Sequence, residues 1–228
     1  MLIEISYVLG TSIPKWPTNP SEKPDINLSF DKGEPCNASS IYHHMHNGTH
    51  VDAPKHFSRI GRDITELPIE DFYYTNPLLL SLKKAKGELI NQTDLLCHER
   101  AIDNCDILCV YTGYADIRDS APLDYVDDFP AFSLDAARYL RMNFPKLKAV
   151  AIDVISVESS IEGPKNNFPV HRTFLDSLEG KNPRTLLLYE DVNLKKLAAI
   201  KTPVRAIYAF PIRWEGAEAA PVNMVAES

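Results

Sequence analysis

Long hydrophobic runs are missing from this 228-residue chain. A membrane-spanning helix needs about 20 consecutive apolar residues, and no stretch approaches that length. The first ten residues, MLIEISYVLG, lack the basic region and following apolar run of a secretory leader, so neither leader nor anchor is expected. Positive charge is also in deficit: 24 Lys and Arg stand against 31 Asp and Glu, a formal net charge of −7. With both signs interspersed, the surface is that of an ordinary soluble protein, and neither a nucleic-acid nor a membrane partner is expected. Cysteine is sparse. The four thiols form no Cys-x-x-Cys pair, and Cys105 and Cys109 flank or lie within the apolar run Ile107 to Tyr111. Buried, reduced thiols and a reducing cytoplasm are the default reading. Repeats, linkers and low-complexity tracts are absent too, and the length suits one sizeable core, so residues 1–228 read as a single domain.

What is present is concentrated in one stretch, His46-Asn47-Gly48-Thr49-His50-Val51-Asp52-Ala53-Pro54-Lys55-His56. Residues 46, 50, 52 and 56 are side chains that bind divalent metals or move protons, and all share one parity. In an extended segment, parity puts them on one side. A helix would place positions 50 and 52 about 200° apart, and Asn47-Gly48 and Pro54 discourage it. A straight strand would separate His46 from His50 by about 13 Å, too far for one ion bonded at about 2.0 to 2.2 Å. The chain must therefore bend, and Asn47-Gly48 is where it can, since both residues tolerate positive φ. The competing reading is a polar surface turn that happens to hold histidines. His43 and His44 are successive, face opposite ways and read as flank.

The remainder alternates strand and helix signals. Strands are predicted at Met1–Val8, Ile26–Phe30, Leu78–Leu82, Asp106–Tyr111, Lys148–Val154, Arg184–Asp191 and Val204–Arg213, several of them unalternating and so buried on both faces. Helices are predicted over Thr93–Ile102, capped by Thr93, and Ser133–Arg141, capped by Ser133. His98 falls on the first and reads as a solvated helix face. Thr112-Gly113 reads as a turn that can also offer backbone amides. Asp153 lies inside an apolar run, where a carboxylate must be paired; a structural role, or one orienting a ligand histidine, is expected. Pro14, Pro17 and Pro20 hold an extended loop presenting Trp16, either a packing anchor or a wall of a substrate pocket. His171 is the only other histidine with site-like neighbours, and Glu190 and Asp191 end a buried strand.

The stretch at 46–56 resembles the His-x-Gly-Thr-His-x-Asp-x-Pro-x-His signature of the cyclase-like metal-dependent hydrolases, which include bacterial kynurenine formamidase and isatin hydrolase; every fixed position is matched. The resemblance runs nearly end to end. It implies that His46, His50 and Asp52 are ligands, that His56 is the general base and acid, and that His171 and Glu190 bind a second ion with Asp52, Asp191 being the rival of Glu190. It further implies one or two divalent ions, Zn2+ or Mn2+, a choice that fits a mixed nitrogen and oxygen ligand set. Its fold is a single α/β domain, a mixed sheet or open barrel with peripheral helices in a swivelling β/β/α arrangement. Its members are dimeric or larger, so a homo-oligomer acting on a small-molecule substrate is expected, with the N-terminal loop near a subunit contact. Three departures stand out: a longer connection at Leu178–Pro183, and Ala220 and Asn223 where Gly and Arg are expected. The expected reaction is hydrolysis of an amide or cyclic amide carbonyl, an aryl formamide such as N-formylkynurenine leading. A lactone or isatin-type ring is the alternative substrate. A metal-dependent binding protein without turnover is the alternative class, against which His56 argues because binding alone needs no base.

Overall fold

The chain is described here by a computed structural model covering residues 1–176 and 184–228; the expected longer connection at Leu178–Pro183 lies outside the described residues. Its strands are β1 (Leu2–Glu4), β2 (Lys23–Leu28), β3 (Ala38–Tyr42), β4 (His50–Asp52), β5 (Tyr73–Tyr74), β6 (Pro77–Ser81), β7 (Leu89–Ile90), β8 (Ile107–Tyr111), β9 (Ala131–Phe132), β10 (Ala149–Ile152), β11 (Leu187–Glu190), β12 (Ala206–Pro211) and β13 (Ala219–Glu227). Its helices are short: α1 (Gln92–Leu96), α2 (Glu99–Ile102), α3 (Pro122–Val126), α4 (Leu134–Asn143), α5 (Glu162–Lys165), α6 (Pro169–Leu175) and α7 (Leu194–Ala198).

Nine strands form one mixed sheet in the order β5-β12-β13-β4-β11-β10-β8-β6, with β1 added on β13. The half made of β6, β8, β10 and β11 is parallel, and the half from β4 to β5 is antiparallel. β8, β10 and β11 are buried at every residue, as expected of largely apolar parallel strands covered on both faces. One face packs against α4 and α6 through Leu108, Val110, Val150, Ile152 and Leu188. The opposite face holds Val51, Cys109, Ala151, Tyr189 and Met224. The expected α/β class is met.

β4 is the seam between the two halves. Its three residues pair with β11 on one side, placing Glu190 opposite His50, and with β13 on the other, placing Ala219 opposite Asp52. Because side chains alternate, His50 and Asp52 share the α4–α6 face while Val51 enters the other core.

Several element boundaries differ from the predicted ones. The N-terminal strand stops at Glu4, after which the Ser6 hydroxyl bonds to the Asn223 side chain. The helix predicted over 93–102 breaks into α1 and α2, with His98 at the break. Its N-cap is Asn91 rather than Thr93, since Asn91 and Asp94 complete a capping box that satisfies two amides. Ser133 does cap α4, accepting from the Ala136 amide. β10 ends at Ile152, so Asp153 lies just beyond the strand and not within it.

Candidate metal centre

The bend expected at Asn47-Gly48 is present, and it is built from both sides. Gly48 takes φ +68, a left-handed conformation that a side chain would strain, and an added Cβ there would collide with the Leu9 side chain. Asn47 is fully buried and donates to the Pro20 carbonyl and to Glu22, both at 2.8 Å. After Asp52 the chain turns again in a 3-10 turn over Pro54–His56, opened by the proline. Strict alternation therefore governs only His50 and Asp52; His46 and His56 arrive by a turn on either side. The two turns stack the His46 and His56 rings with centroids 4.1 Å apart. His171 comes from α6 and Glu190 from the end of β11.

These side chains converge. His46 Nδ1 lies 3.0 Å from Asp52 Oδ1, and His50 Nε2 lies 3.4 Å from both Asp52 Oδ1 and Glu190 Oε2. His171 Nε2 is 3.3 Å from Glu190 Oε1 and 3.9 Å from Asp52 Oδ2. Two donor sets, His46–Asp52–His56 and His50–Asp52–Glu190, each bring their ligand atoms within 4.8 Å of one another, sharing Asp52. The deciding feature is what Asp52 lacks. It is fully buried, yet no backbone amide or hydroxyl satisfies either carboxylate oxygen; only the imidazoles approach it, and His50 Nε2 likewise meets only carboxylates. Burying a carboxylate this way is strongly unfavourable without a cation. A set of imidazoles and carboxylates fits zinc or manganese better than calcium.

The outward-facing nitrogens separate the histidines into two kinds. His50 Nδ1 bonds to the Gly48 carbonyl at 2.9 Å, His171 Nδ1 meets Glu158 Oε2 at 3.2 Å, and His46 Nε2 meets Glu218 Oε1 at 3.3 Å. Each thus has one nitrogen anchored and one turned inward, the pattern of an oriented ligand histidine. His56 has no such anchor among the described residues.

The electrostatics follow the same division. Burial opposes the charge on His46, His50 and His171, but neighbouring carboxylates outweigh it: all three are raised, His171 to about 10. His56 is lowered to about 4, because burial dominates over the attraction of Asp52. Burial works against ionisation of Asp52 and Glu190 as well, yet the histidines hold Asp52 well below the usual carboxylate range and Glu190 at about 2.

Above the cluster opens a cavity of about 370 Å³ whose apolar wall is Trp16, Phe57, Ile155 and Phe168. Trp16 stands edge-on to Phe129 and tilts against Phe168 at 6.4 Å, so it is packing anchor and pocket wall at once. A larger cavity, about 760 Å³ and mostly apolar, lies beside the β2–β3 hairpin. No set of metal-binding donors converges there among the described residues.

Glu190 faces the cluster and Asp191 turns away from it to Arg118, so Asp191 is not the ligand. Asp153 orients no histidine; it accepts from Thr112 N and Oγ1 at 2.7 Å, Gly113 N at 3.0 Å and Ala115 N at 3.1 Å, tying the end of β8 to that of β10. The Thr112 and Gly113 amides are thus taken up by Asp153 and are not offered to a ligand. His44 borders the cavity, whereas His43 pairs with Glu22 at 3.3 Å. Glu158, Glu218, Phe57 and Phe168 were missed: nothing in their spacing sets them apart, and they reach the site through the loop after β10, the residue before β13, the end of the Pro54–His56 turn and the N-cap of α6.

The family model named Cyclase matches residues 3–159. The chain belongs to the Cyclase family. Within that family, a kynurenine formamidase from Maricaulis maris is 28% identical over 224 residues, 97% of this chain and 95% of its own. Among solved structures, isatin hydrolase A from Labrenzia aggregata, bound to benzyl benzoate, aligns with a TM-score of 0.79 at 15% identity, covering 99% of this chain and 93% of that one. A protein described as a potential metal-dependent hydrolase with cyclase activity aligns at 0.70 and 21% identity, covering 99% and 96%. The Cyclase fold is thus shared nearly end to end.

Proposed function

We propose that this Cyclase-family chain is a metal-dependent hydrolase of an amide or cyclic amide carbonyl. The buried Asp52 carboxylate, approached only by inward-turned histidines, carries the reading. His46, His50, Asp52, His171 and Glu190 would hold one or two Zn2+ or Mn2+ ions, with Asp52 common to both donor sets. Such an ion, when bound, polarises a carbonyl and lowers the pKa of water toward neutrality. The remaining tasks fall to the chain. His56 is neutral at pH 7, unanchored and adjacent to His46, so it accepts the proton of the attacking water and returns it to the leaving nitrogen. Trp16, Phe57 and Phe168 give the substrate an aromatic slot. An aryl formamide such as N-formylkynurenine is the leading substrate, in line with the Maricaulis relative; the isatin hydrolase neighbour keeps an isatin-type ring or lactone as the second.

The protein also acts as a homo-oligomer in this proposal. β2 and β3 form a two-stranded hairpin exposed along almost its whole length, an arrangement of marginal stability alone. Its Ile41 and Tyr42 join Ile212 and Trp214 around the large apolar cavity, a surface suited to a second copy of the chain.

Elemental analysis of protein purified without added metal, run beside an assay of N-formylkynurenine hydrolysis, tests the function. About two Zn or Mn per chain with turnover supports the reading through His171 and Glu190. Metal without turnover redirects the search to isatin-type rings and lactones. No metal after reconstitution would overturn it.

A further inference from the structure

The residue after Glu190 is held more tightly than its place in a loop requires. Asp191 is non-glycine yet left-handed, with φ +52, and it is almost fully buried. Its carboxylate takes a forked pair of hydrogen bonds from Arg118, Nε to Oδ1 at 2.7 Å and Nη2 to Oδ2 at 2.6 Å. The Tyr125 hydroxyl adds a third bond to Oδ1 at 2.7 Å. Arg118 is itself buried, its guanidinium lying 3.6 Å from the centroid of the Tyr7 ring.

The backbone of Asp191 leads to the second ligand strand. Its carbonyl accepts from Thr49 Oγ1 at 2.6 Å, and the Thr49 hydroxyl oxygen in turn accepts from the Tyr7 amide at 2.9 Å. Thr49 precedes His50, and Asp191 follows Glu190. The clamp therefore grips, one residue away, both members of the facing pair whose side chains approach each other at 3.4 Å. A strained conformation persists only where its surroundings over-determine it, and here the surroundings are a bidentate ion pair, a phenol and a threonine.

We propose that Arg118 and Asp191, acting through Thr49, are positioning residues that hold Glu190 and His50 at the separation one ion needs. This rests on the metal-centre reading given above. Arginine suits the role because its planar fork fixes both oxygens at once, which lysine cannot do. The pair also neutralises Asp191, so the acid adds no charge to the centre it braces.

Three variants test the clamp: Arg118→Lys keeps the charge and loses the fork, Asp191→Asn keeps a residue tolerant of positive φ and loses the ion pair, and Thr49→Val removes only the hydroxyl link. The probe is cobalt(II), read by chelator competition and by its visible spectrum on protein that melts cooperatively before loading. Each variant should bind cobalt about 10- to 100-fold more weakly than wild type, the range for losing a residue that orients a metal ligand, with an altered spectrum. Tyr74→Phe, which breaks the buried Tyr74–Tyr189 hydrogen bond on the opposite sheet face, should lower the melting temperature and leave cobalt affinity and spectrum unchanged. If those clamp variants that fold match wild type in both readouts, the clamp is merely structural and the proposal fails. Wild-type protein that takes up no cobalt would instead sink the metal reading itself.

Discussion

Histidine 56 differs from its three neighbours in the centre by what it lacks, a partner for its outer nitrogen, and that difference predicts a separable phenotype. Replacing His56 with Ala should lower kcat by about 10²- to 10⁴-fold, the usual worth of a positioned acid-base group, while elemental analysis finds the metal content of wild type. Loss of metal together with activity would make His56 chiefly a ligand. His171 carries the opposite behaviour. In metal-free protein, burial disfavours its charge, but Glu158 and Glu190 raise it to about 10 from 6.5. A cationic group raised in this way stabilises the fold fully below about 6.5 and loses that contribution as the pH climbs toward 10. The melting temperature of metal-free protein should therefore fall between pH 6.5 and 10. Metal must displace the same proton, so loading near pH 7.5 in unbuffered solution should acidify it; uptake with no proton release would contradict the assignment. The residue types of the 46–56 stretch and the need for a bend made its convergence legible in the sequence, although parity holds only for His50 and Asp52. Glu158 and Glu218 were not, since an acid in a loop carries no periodicity and only the fold reveals which histidine it faces.

Helix α6 shows how an element delivers a single side chain. Glu158 accepts from the Val170 and His171 amides at 2.9 Å, fixing the first turn. Phe174, on the same helix, is fully buried and meets Phe132 edge-on. Truncating Phe174 to Ala should destabilise the protein by about 3 to 5 kcal/mol, measured by urea unfolding, and loosen His171 enough to weaken metal binding; a loss under 1 kcal/mol would show that α6 is held by its turn alone. The parallel strands were readable because burial on both faces leaves unbroken apolar runs. The three-residue β4 was not readable as a strand from propensity, since its content is His-Val-Asp and its place is set by the partners on either side. The start of α1 was misplaced because a capping box two residues upstream outcompeted Thr93, and the break at His98 has no signal in the sequence.

At the scale of the whole molecule, the exposed hairpin is the feature that an isolated chain leaves unexplained. Ile41 is 68% exposed and Trp214 65%, and both border the apolar cavity. Light scattering coupled to size exclusion should give the mass of a dimer or larger. Trp214→Glu combined with Ile41→Glu should reduce it to that of one chain, and a wild-type monomer at micromolar concentration would refute the oligomer. No helix among the described residues is long and apolar enough to cross a membrane, in keeping with the absence of long apolar runs.

The placement of β4 carries a consequence for synthesis. The strand bearing His50 and Asp52 is made early, but its pairing partners are residues 187–190 and 219–227. While the chain is still emerging from the ribosome, those two ligands have no sheet to join and Glu190 does not yet exist. The cluster can therefore assemble only after residues up to Pro221 have been released, a late and non-local closure of the kind that folds slowly.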